Sequence, residues 1–454
     1  MTATQAKTPL HPLLALAGPF IALTICVYTA CSNSEPVGSN EEDLSIASRD
    51  TLEVEVSSSS QIVNYLPLDD TEYPYAGIPR IVIETENRRE IKDRETEIPA
   101  RLQIWGEKAP ESEIMELTIR GRGNSSWTGM PKKSYKIEFL KKNNLFHMAS
   151  NKDWALISNY ADKTLLKNFL MYNLSSTLGL YYTPNTKFVE LFINSSYCGV
   201  YLLTETIKVD KNRIDIPKTG NSFLAEIDFK HKENEQYVTS NLNKPFRIHS
   251  PKGASDSEIS FFLSHINEFE SYLANREKND STGLQKWLYL DDYIKHFWIQ
   301  EISKNCDAAF FTSVYFSWQE GQPIHMGPVW DFDLAFGGHT NADINNPEGW
   351  LAKDIYWNRY LYKNSSFSYY VSNYWITHKS LFKDILDTID IYKKNLNGAA
   401  KNNYNKWNVL KDTSNYYHHR AYSSYDEAIE DLKAWIQKRY LWIDEQTDLN
   451  SKIL

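Results

Sequence analysis

The chain has 454 residues, of which 42% are hydrophobic and 24% charged, so it contains enough apolar sequence to build a sizeable core. Its formal net charge of −9 argues against nucleic acid as a partner, because nucleic-acid binding needs a basic surface. Outside the N-terminal segment the cysteines are Cys198 and Cys306, too few for a disulfide framework or a cysteine-based zinc site.

The first thirty residues predict a lipoprotein signal peptide. Lys7 is their only charged side chain, an apolar run extends from Leu13 to Val27, and small residues precede Cys31. The run is shorter than the roughly 20 apolar residues of a membrane-spanning helix, and its end suits a signal peptidase. We therefore predict residues 1–30 as the signal peptide and Cys31 as the lipidated N-terminus. A membrane-spanning anchor is the alternative.

Residues 31–75 are predicted to be a disordered tether. The stretch from Ser32 to Ser60 is rich in Ser, Glu, Asp and Asn, and it has few large apolar residues with which to offset the entropy of ordering. A lipid-anchored tether places the folded part outside the cytoplasm. We expect it on the periplasmic or outer surface of a Gram-negative bacterium, in contact with the membrane through the N-terminal lipid.

The next segment predicts a β-rich lobe, because apolar and polar residues alternate with the period of half-buried antiparallel strands. The predicted strands are Ile81–Ile83, Ala100–Trp105, Glu116–Ile119, Tyr135–Phe139 and Trp154–Ile157. A helical pattern follows from Asp162 to Leu178. Phe188–Phe192 and Tyr197–Thr204 then predict a hairpin.

The second half predicts a mainly helical lobe. Helical patterns cover Glu258–Arg276, Leu284–Ser303 and much of the chain after Ser368, including Tyr425–Asp444. The predicted fold class is therefore α+β, with one domain over residues 76–367 and a helical C-terminal extension over 368–454. A nucleotide can lie in the cleft between two such lobes.

A glycine turn with flanking arginines lies between two of the predicted strands. It consists of Arg120, Gly121, Arg122, Gly123 and Asn124. Glycine backbone can approach an anion closely, and arginine pairs with phosphate oxygens, so we predict that this turn binds the nucleotide. The strand, turn and lysine-bearing strand resemble the nucleotide flap of kinases. A tight hairpin with solvated arginines is the alternative.

The strand after the glycine turn carries candidate lysines for the nucleotide phosphates. Lys133 is the first choice because it lies close behind the turn, and Lys136, on the polar face of the strand, is the second. Such a lysine needs a carboxylate to orient it. Glu205, at the end of an apolar run, is the predicted partner because a carboxylate emerging from a buried strand needs a counter-charge.

Three acids in the second half predict a metal and proton-transfer site. Asp307 follows the helix that ends near Ser303, and Asp331 and Asp333 follow two predicted strands, Val314–Trp318 and a second one that ends at Val329. In the order of a kinase catalytic lobe, Asp307 takes the place of the base, and Asp331 that of the Mg²⁺ ligand. Asp333 falls on the same side of an extended segment as Asp331 and is a second candidate ligand. An acidic turn without metal is the alternative.

Together these motifs resemble the CotH kinase family, whose name refers to spore coat protein H. The resemblance rests on Arg120–Trp127, Pro131–Tyr135, Asp153–Leu156 with Asp162, Gly199–Glu205 and Trp330–Asp333, and it runs from about Ile78 to about Gly338. It implies an atypical two-lobe kinase fold that transfers phosphate from ATP to Ser or Thr of secreted or surface proteins, with Mg²⁺ or Mn²⁺. It makes Asp307 the catalytic acid, Asp331 the principal metal ligand and Lys133 the nucleotide lysine.

One departure from the family pattern keeps a second function open. Family members often carry Asn where this chain has Thr312-Ser313, and a hydroxyl is a weaker metal ligand than an amide oxygen. The alternative is a non-catalytic surface module for protein or glycan, with Tyr356-Trp357 as exposed aromatics. A glycoside hydrolase with paired carboxylates is a third reading, but it gives no reason for the glycine turn beside Lys132 and Lys133.

Overall fold

The computed structural model describes residues 65–275, 281–414 and 416–451. The predicted signal peptide, Cys31 and the tether up to residue 64 lie outside these residues, so those predictions stay predictions. Within the described ranges, no helix combines the length and the apolar composition needed to cross a membrane.

Seven strands of the N-terminal half close into a barrel. They are β1 (Arg80–Thr85), β2 (Ile98–Trp105), β3 (Met115–Arg122), β4 (Ser134–Asn143), β5 (Asn151–Ile157), β6 (Thr186–Ile193) and β7 (Ser196–Glu205). The order around the barrel is β1-β2-β3-β4-β5-β7-β6, and a parallel pairing of β6 with β1 closes it. The β-rich region and the β6–β7 hairpin are confirmed, whereas the closure was not predicted.

The barrel interior explains the alternation seen in the sequence. Ile81, Leu102, Ile119 and Leu156 are each fully or almost fully buried and pack in one cluster inside the barrel. Polar residues between them point outward, as the twofold period of a strand requires. Burial of this inward set stabilises the barrel by about 1.5–3 kcal/mol for each large aliphatic side chain.

The predicted tether ends earlier than expected. Leu66 and Tyr73 are buried in a cluster with Val82 of β1 and Phe192 of β6, and the backbone N–H of Leu66 donates to Oε1 of Gln103 at 3.1 Å. Residues 66–75 are thus part of the folded unit. The prediction of disorder up to residue 75 is wrong for this stretch because a few apolar residues find a preformed surface to cover.

A second sheet joins the two halves of the chain. Its strands are β8 (Ser222–Ile227), β9 (Tyr237–Thr239), β10 (Pro245–Ser250), β11 (Val314–Gln319) and β12 (His325–Met326). They pair in the order β12-β11-β8-β10-β9. β11 was predicted, β12 ends before the expected Val329, and β8 to β10 were missed. All six residues of β8 are buried, so this strand shows no alternation.

Helices dominate the rest of the chain, as predicted. They are α1 (Ser125–Thr128), α2 (Lys167–Thr177), α3 (Asp256–Ala274), α4 (Ser281–Leu284), α5 (Leu290–Ser303), α6 (Ala342–Asn345), α7 (Tyr356–Leu361), α8 (Ser365–Lys383), α9 (Ile385–Lys406) and α10 (Tyr425–Ser451). α2 begins five residues later than predicted, because the carboxylate of Asp162 accepts hydrogen bonds from the backbone N–H groups of Thr164 and Lys167. α5 begins at Leu290, not at Leu284.

A buried ion pair ties the C-terminal helix α10 to α5. Nη2 of Arg439 lies 2.5 Å from Oε1 of Glu301, and both side chains are completely buried. The same carboxylate accepts from the backbone N–H groups of Leu351 and Ala352. Removing one partner of such a pair leaves an uncompensated buried charge, so the pair fixes α10 against the helix that leads to Asp307.

Candidate active site

The glycine turn packs tightly on itself at the end of β3. A Cβ on Gly121 would come within 2.4 Å of the Trp127 ring, and Gly123 has a φ of +97° and would bring a Cβ within 1.9 Å of Oγ of Ser126. Only glycine fits these two positions without rearrangement. The turn continues into α1 before β4 begins, so it is a glycine turn between two strands with one added helical turn.

The two arginines of the turn have different surroundings. Arg120 donates to the backbone carbonyl of Gly121 and pairs with Glu97 at 3.6 Å, so it faces the neighbouring loop. The guanidinium of Arg122 stacks on the ring of Trp330, 5.3 Å from its centroid. Asp331 raises the pKa of Arg122, but burial lowers it more strongly. Arg122 therefore reaches the acidic segment, whereas Arg120 does not.

The predicted lysines are held by other partners. Nζ of Lys133 donates to the backbone carbonyl of Trp127 and lies over the Trp127 ring. Nζ of Lys136 pairs with Glu138 at 2.7 Å and with Asp153 at 3.0 Å, and these acids outweigh burial to raise its pKa. Lys133 thus braces the glycine turn, and Lys136 belongs to an ion-pair network on the barrel.

Glu205 does not orient either lysine. Its carboxylate pairs with Nη1 of Arg213 at 2.7 Å, with both side chains fully buried, and it also accepts from the hydroxyl of Tyr182 at 3.1 Å. The expectation that this carboxylate needs a counter-charge holds, but the predicted Lys133–Glu205 pair is wrong. Glu205 is a structural anion of the barrel.

Of the three predicted acids, Asp331 lies close enough to both Asp307 and Asp333 for their charges to interact, where the end of α5 meets the segment after β12. Nζ of Lys230, just beyond β8, lies 3.9 Å from Oδ2 of Asp307. The backbone of Asp331 has a φ of +63°, a left-handed conformation that is costly for a residue with a Cβ and is concentrated at functional sites. Nδ2 of Asn305 donates to the Asp331 carbonyl at 3.0 Å and fixes this strained residue.

Asn168 of α2 clamps the Trp330–Asp333 segment. Its Oδ1 accepts from the backbone N–H of Phe332 at 2.9 Å, and its Nδ2 donates to Oδ1 of Asp333 at 2.7 Å. Asn168 is almost fully buried, so this amide has no water to compete for its bonds. It holds one acid directly and the peptide between the two acids as well.

Burial raises the pKa of each acid, and repulsion from Asp331 adds to the rise at Asp307 and Asp333. Burial raises the pKa of Asp307 to about 6, with a further rise from Asp331 and an opposing effect of Lys230. Burial raises the pKa of Asp333 to about 7, with Asp331 adding to the rise. The pKa of Asp331 is raised by burial too, against Lys230 and Arg122. Perturbed carboxylates in contact with cations are typical of functional sites.

The donor set suits a metal that also holds phosphate. Within the described ranges no three His, Cys, Asp or Glu side chains are grouped closely enough to hold a metal ion by themselves. Mg²⁺ commonly binds one or two carboxylates together with substrate phosphates, and Asp331 and Asp333 offer such a pair. Oδ1 of Asn305 is buried and lacks a hydrogen-bond partner among the described residues, so it is an available third oxygen.

Sequence reasoning missed three contributors to this site. Lys230 follows a strand that showed no alternation, and Asn168 and Asn305 approach the acids through tertiary packing alone. Their only sequence signal is their nearness to predicted elements. The predicted exposed aromatics are also wrong, since Tyr356 and Trp357 are buried, at 7% and 0% exposure.

Comparison with known families gives one match. A family model described as CotH kinase protein matches residues 119–443. The match includes the glycine turn, the three acids and the helices after residue 368, so it begins later and reaches further than the sequence motifs indicated. No curated protein matches this chain.

Proposed function

This chain belongs to the CotH kinase family, and we propose that it transfers the γ-phosphate of ATP to Ser or Thr hydroxyls of secreted or surface proteins. The proposal rests mainly on the position of Asp331, whose charge interacts with those of Asp307 and Asp333 and with the cations Lys230 and Arg122. We propose a kinase-like arrangement of two lobes in which the barrel is the β lobe and supplies the glycine turn.

In this proposal each acid has its own task. Asp307 accepts the proton of the acceptor hydroxyl, for which a pKa of about 6 is suitable near neutral pH. Asp331 and Asp333 hold Mg²⁺ or Mn²⁺, with Asn168 fixing the direction of Asp333. A metal bound there supplies positive charge to the phosphate oxygens during transfer.

Two cations complete the site. Arg122 of the glycine turn stacks on Trp330, next to Asp331, and Lys230, just beyond the end of β8, lies 3.9 Å from Asp307. Both are placed to pair with phosphate oxygens once a metal neutralises the acids. The role of Lys133 in nucleotide binding stays a prediction, and its bond to Trp127 supports an indirect one, through the shape of the turn.

The test measures metal-dependent ATP turnover in the parent chain and in the variants Asp307→Asn and Asp331→Asn. We expect turnover with Mg²⁺ or Mn²⁺ in the parent, loss in both variants, and unchanged circular dichroism. Unchanged turnover in a folded Asp331→Asn protein contradicts the assignment.

We also propose that the chain is lipid-anchored through Cys31 at a bacterial surface, on the strength of the signal-like N-terminus. Metabolic labelling with a palmitate analogue tests this. The label should attach to the parent and be absent from Cys31→Ser.

A non-catalytic binding module is the second candidate. The hydroxyl of Thr312 donates to Oδ1 of Asp228 at 3.0 Å, and the backbone N–H of Ser313 donates to Oε1 of Glu226 at 3.2 Å. Thr312 is therefore engaged with Asp228, and its hydroxyl is a weaker metal ligand than the amide oxygen of the usual Asn. ATP binding without turnover with either metal would favour this candidate.

A further inference from the structure

A small cavity of about 40 Å³, open to solvent on one side, lies between the start of α2 and the segment that leads into α10. Its lining includes the cations Lys163, Lys167 and Arg420, together with His419, Gly337 and Gly338. It adjoins the candidate active site, since Nζ of Lys167 lies 3.4 Å from the backbone oxygen of Asp333.

Most charges around the cavity are already matched. Nζ of Lys163 donates to three backbone carbonyls, those of residues 410, 412 and 420. Arg420 pairs with Asp431 at 2.6 Å. The carboxylate of Asp162 accepts backbone and hydroxyl hydrogen bonds at the start of α2. These groups form the wall of the cavity and need no ligand.

Lys167 is the exception. It is only 8% exposed, and the long contact to the Asp333 carbonyl is the one hydrogen bond of its ammonium within the described residues. An ammonium has three N–H donors, and leaving them without acceptors in a buried place costs free energy. The electrostatic pull of Asp162 and Asp333 compensates for burial only in part, since burial still lowers the pKa of Lys167.

The wall of the cavity is shaped around this ammonium. A Cβ on Gly338 would lie 2.6 Å from Nζ of Lys167, so a larger residue would displace the lysine. The ring of His419 lies in the same wall with both nitrogens buried, and the backbone of Gly337 is its neighbouring hydrogen-bond acceptor. A ligand with several oxygens would give acceptors to the ammonium of Lys167.

We propose that this cavity binds a phosphate group, with Lys167 as its cation. The inference rests on the proposed function, because a metal held by Asp333 would bring a nucleotide phosphate into the neighbourhood of this ammonium. It assigns the phosphate-binding lysine to α2 and not to the strand after the glycine turn. A free polyphosphate carries the same chemistry.

The test is binding of ATP and of inorganic tripolyphosphate, each with Mg²⁺, to the full-length chain by isothermal titration calorimetry. Lys167→Met removes the charge, Lys167→Arg retains it, Lys133→Met is the competing assignment, and Lys152→Met is an exposed control. We expect Lys167→Met to lose about tenfold or more in affinity for both ligands, in line with loss of a charged hydrogen bond. Lys167→Arg should recover part of it, and Lys152→Met should match the parent.

The outcomes separate this inference from the proposed function. If the parent binds ATP and Lys167→Met binds it equally well, or if Lys133→Met alone loses affinity, the inference is wrong and the kinase proposal stands. If the parent binds tripolyphosphate through Lys167 but not ATP, the inference stands and the proposed function fails. Should Lys167→Met not fold, a crystal structure of the parent with tripolyphosphate decides: a phosphate within hydrogen-bond distance of Nζ supports the inference, and one elsewhere overturns it.

Discussion

Replacing Asp333 by asparagine should stabilise the metal-free protein at pH 8 and stabilise it much less at pH 5. The folded pKa of Asp333 is raised to about 7 from an ordinary 3.8, chiefly by burial. A buried acid with a raised folded pKa lowers the stability of the folded state, because the unfolded chain ionises more readily. This penalty is absent below the unfolded pKa, grows as the pH rises, and is complete above the folded pKa. At about 1.4 kcal/mol per pKa unit, the difference between the folded and unfolded pKa limits the stability gained by Asp333→Asn to about 4 kcal/mol.

Asparagine suits this position because it keeps an oxygen that can accept from Nδ2 of Asn168, as Oδ1 of Asp333 does now at 2.7 Å. At pH 5 the gain in stability of Asp333→Asn should be below about 2 kcal/mol. The reason is that pH 5 lies only about one unit above the unfolded pKa of 3.8, so most of the penalty has not yet developed.

Urea unfolding followed by tryptophan fluorescence, in EDTA at pH 8, 6 and 5, measures these free energies of unfolding. The exposed Asp215→Asn is a matched control and should show no pH-dependent gain. Adding Mg²⁺ at pH 8 should stabilise the parent more than Asp333→Asn, since ligand binding to the folded state adds stability. A variant less stable than the parent at pH 8, or a gain that does not depend on pH, would refute the reasoning.

Three other substitutions test separate parts of the structure. The rate of phosphate transfer should fall about tenfold per pH unit below pH 6, because Asp307 must lose its proton to act as base. The variant Asp307→Asn should lose this pH-dependent transfer. Arg213→Met should lower the free energy of unfolding by about 3–5 kcal/mol, measured by urea melts, by leaving Glu205 buried without a counter-charge, while the affinity for ATP stays the same. Leu66→Ala should cost about 2–5 kcal/mol in the same melts, and no loss would contradict the packing of residues 66–75 on the barrel.

Local patterns predicted the seven strands of the barrel near their true positions. Burial alternates along β2 and β3, whereas β1, β5, β6 and β7 are buried almost continuously and were predicted from short apolar runs. β8 is buried along its whole length, so its composition shows no twofold period. Closure of the barrel depends on a parallel pairing between β1 and β6, far apart in the chain, for which no local signal exists.

Part of the candidate site was also predictable from the sequence, and part was not. Asp307, Asp331 and Asp333 were predicted as site residues because acids at strand and helix ends have a recognisable order, and their roles stay predictions. Lys133 and Lys136 were expected at the site because they follow the glycine turn. The sequence does not determine the direction of a long side chain, so it could not show that other partners hold both lysines. Lys230 and Asn168 enter it through contacts that only the folded chain creates.

The most direct measurement is the intact mass of the chain after incubation with ATP, Mg²⁺ or Mn²⁺ and casein as a generic acceptor, beside its Asp331→Asn counterpart. A kinase whose metal is held by Asp331 should add phosphate to itself or to casein, and the folded variant should add none. Equal phosphate addition by both proteins, or none by a parent that binds ATP, would contradict the account.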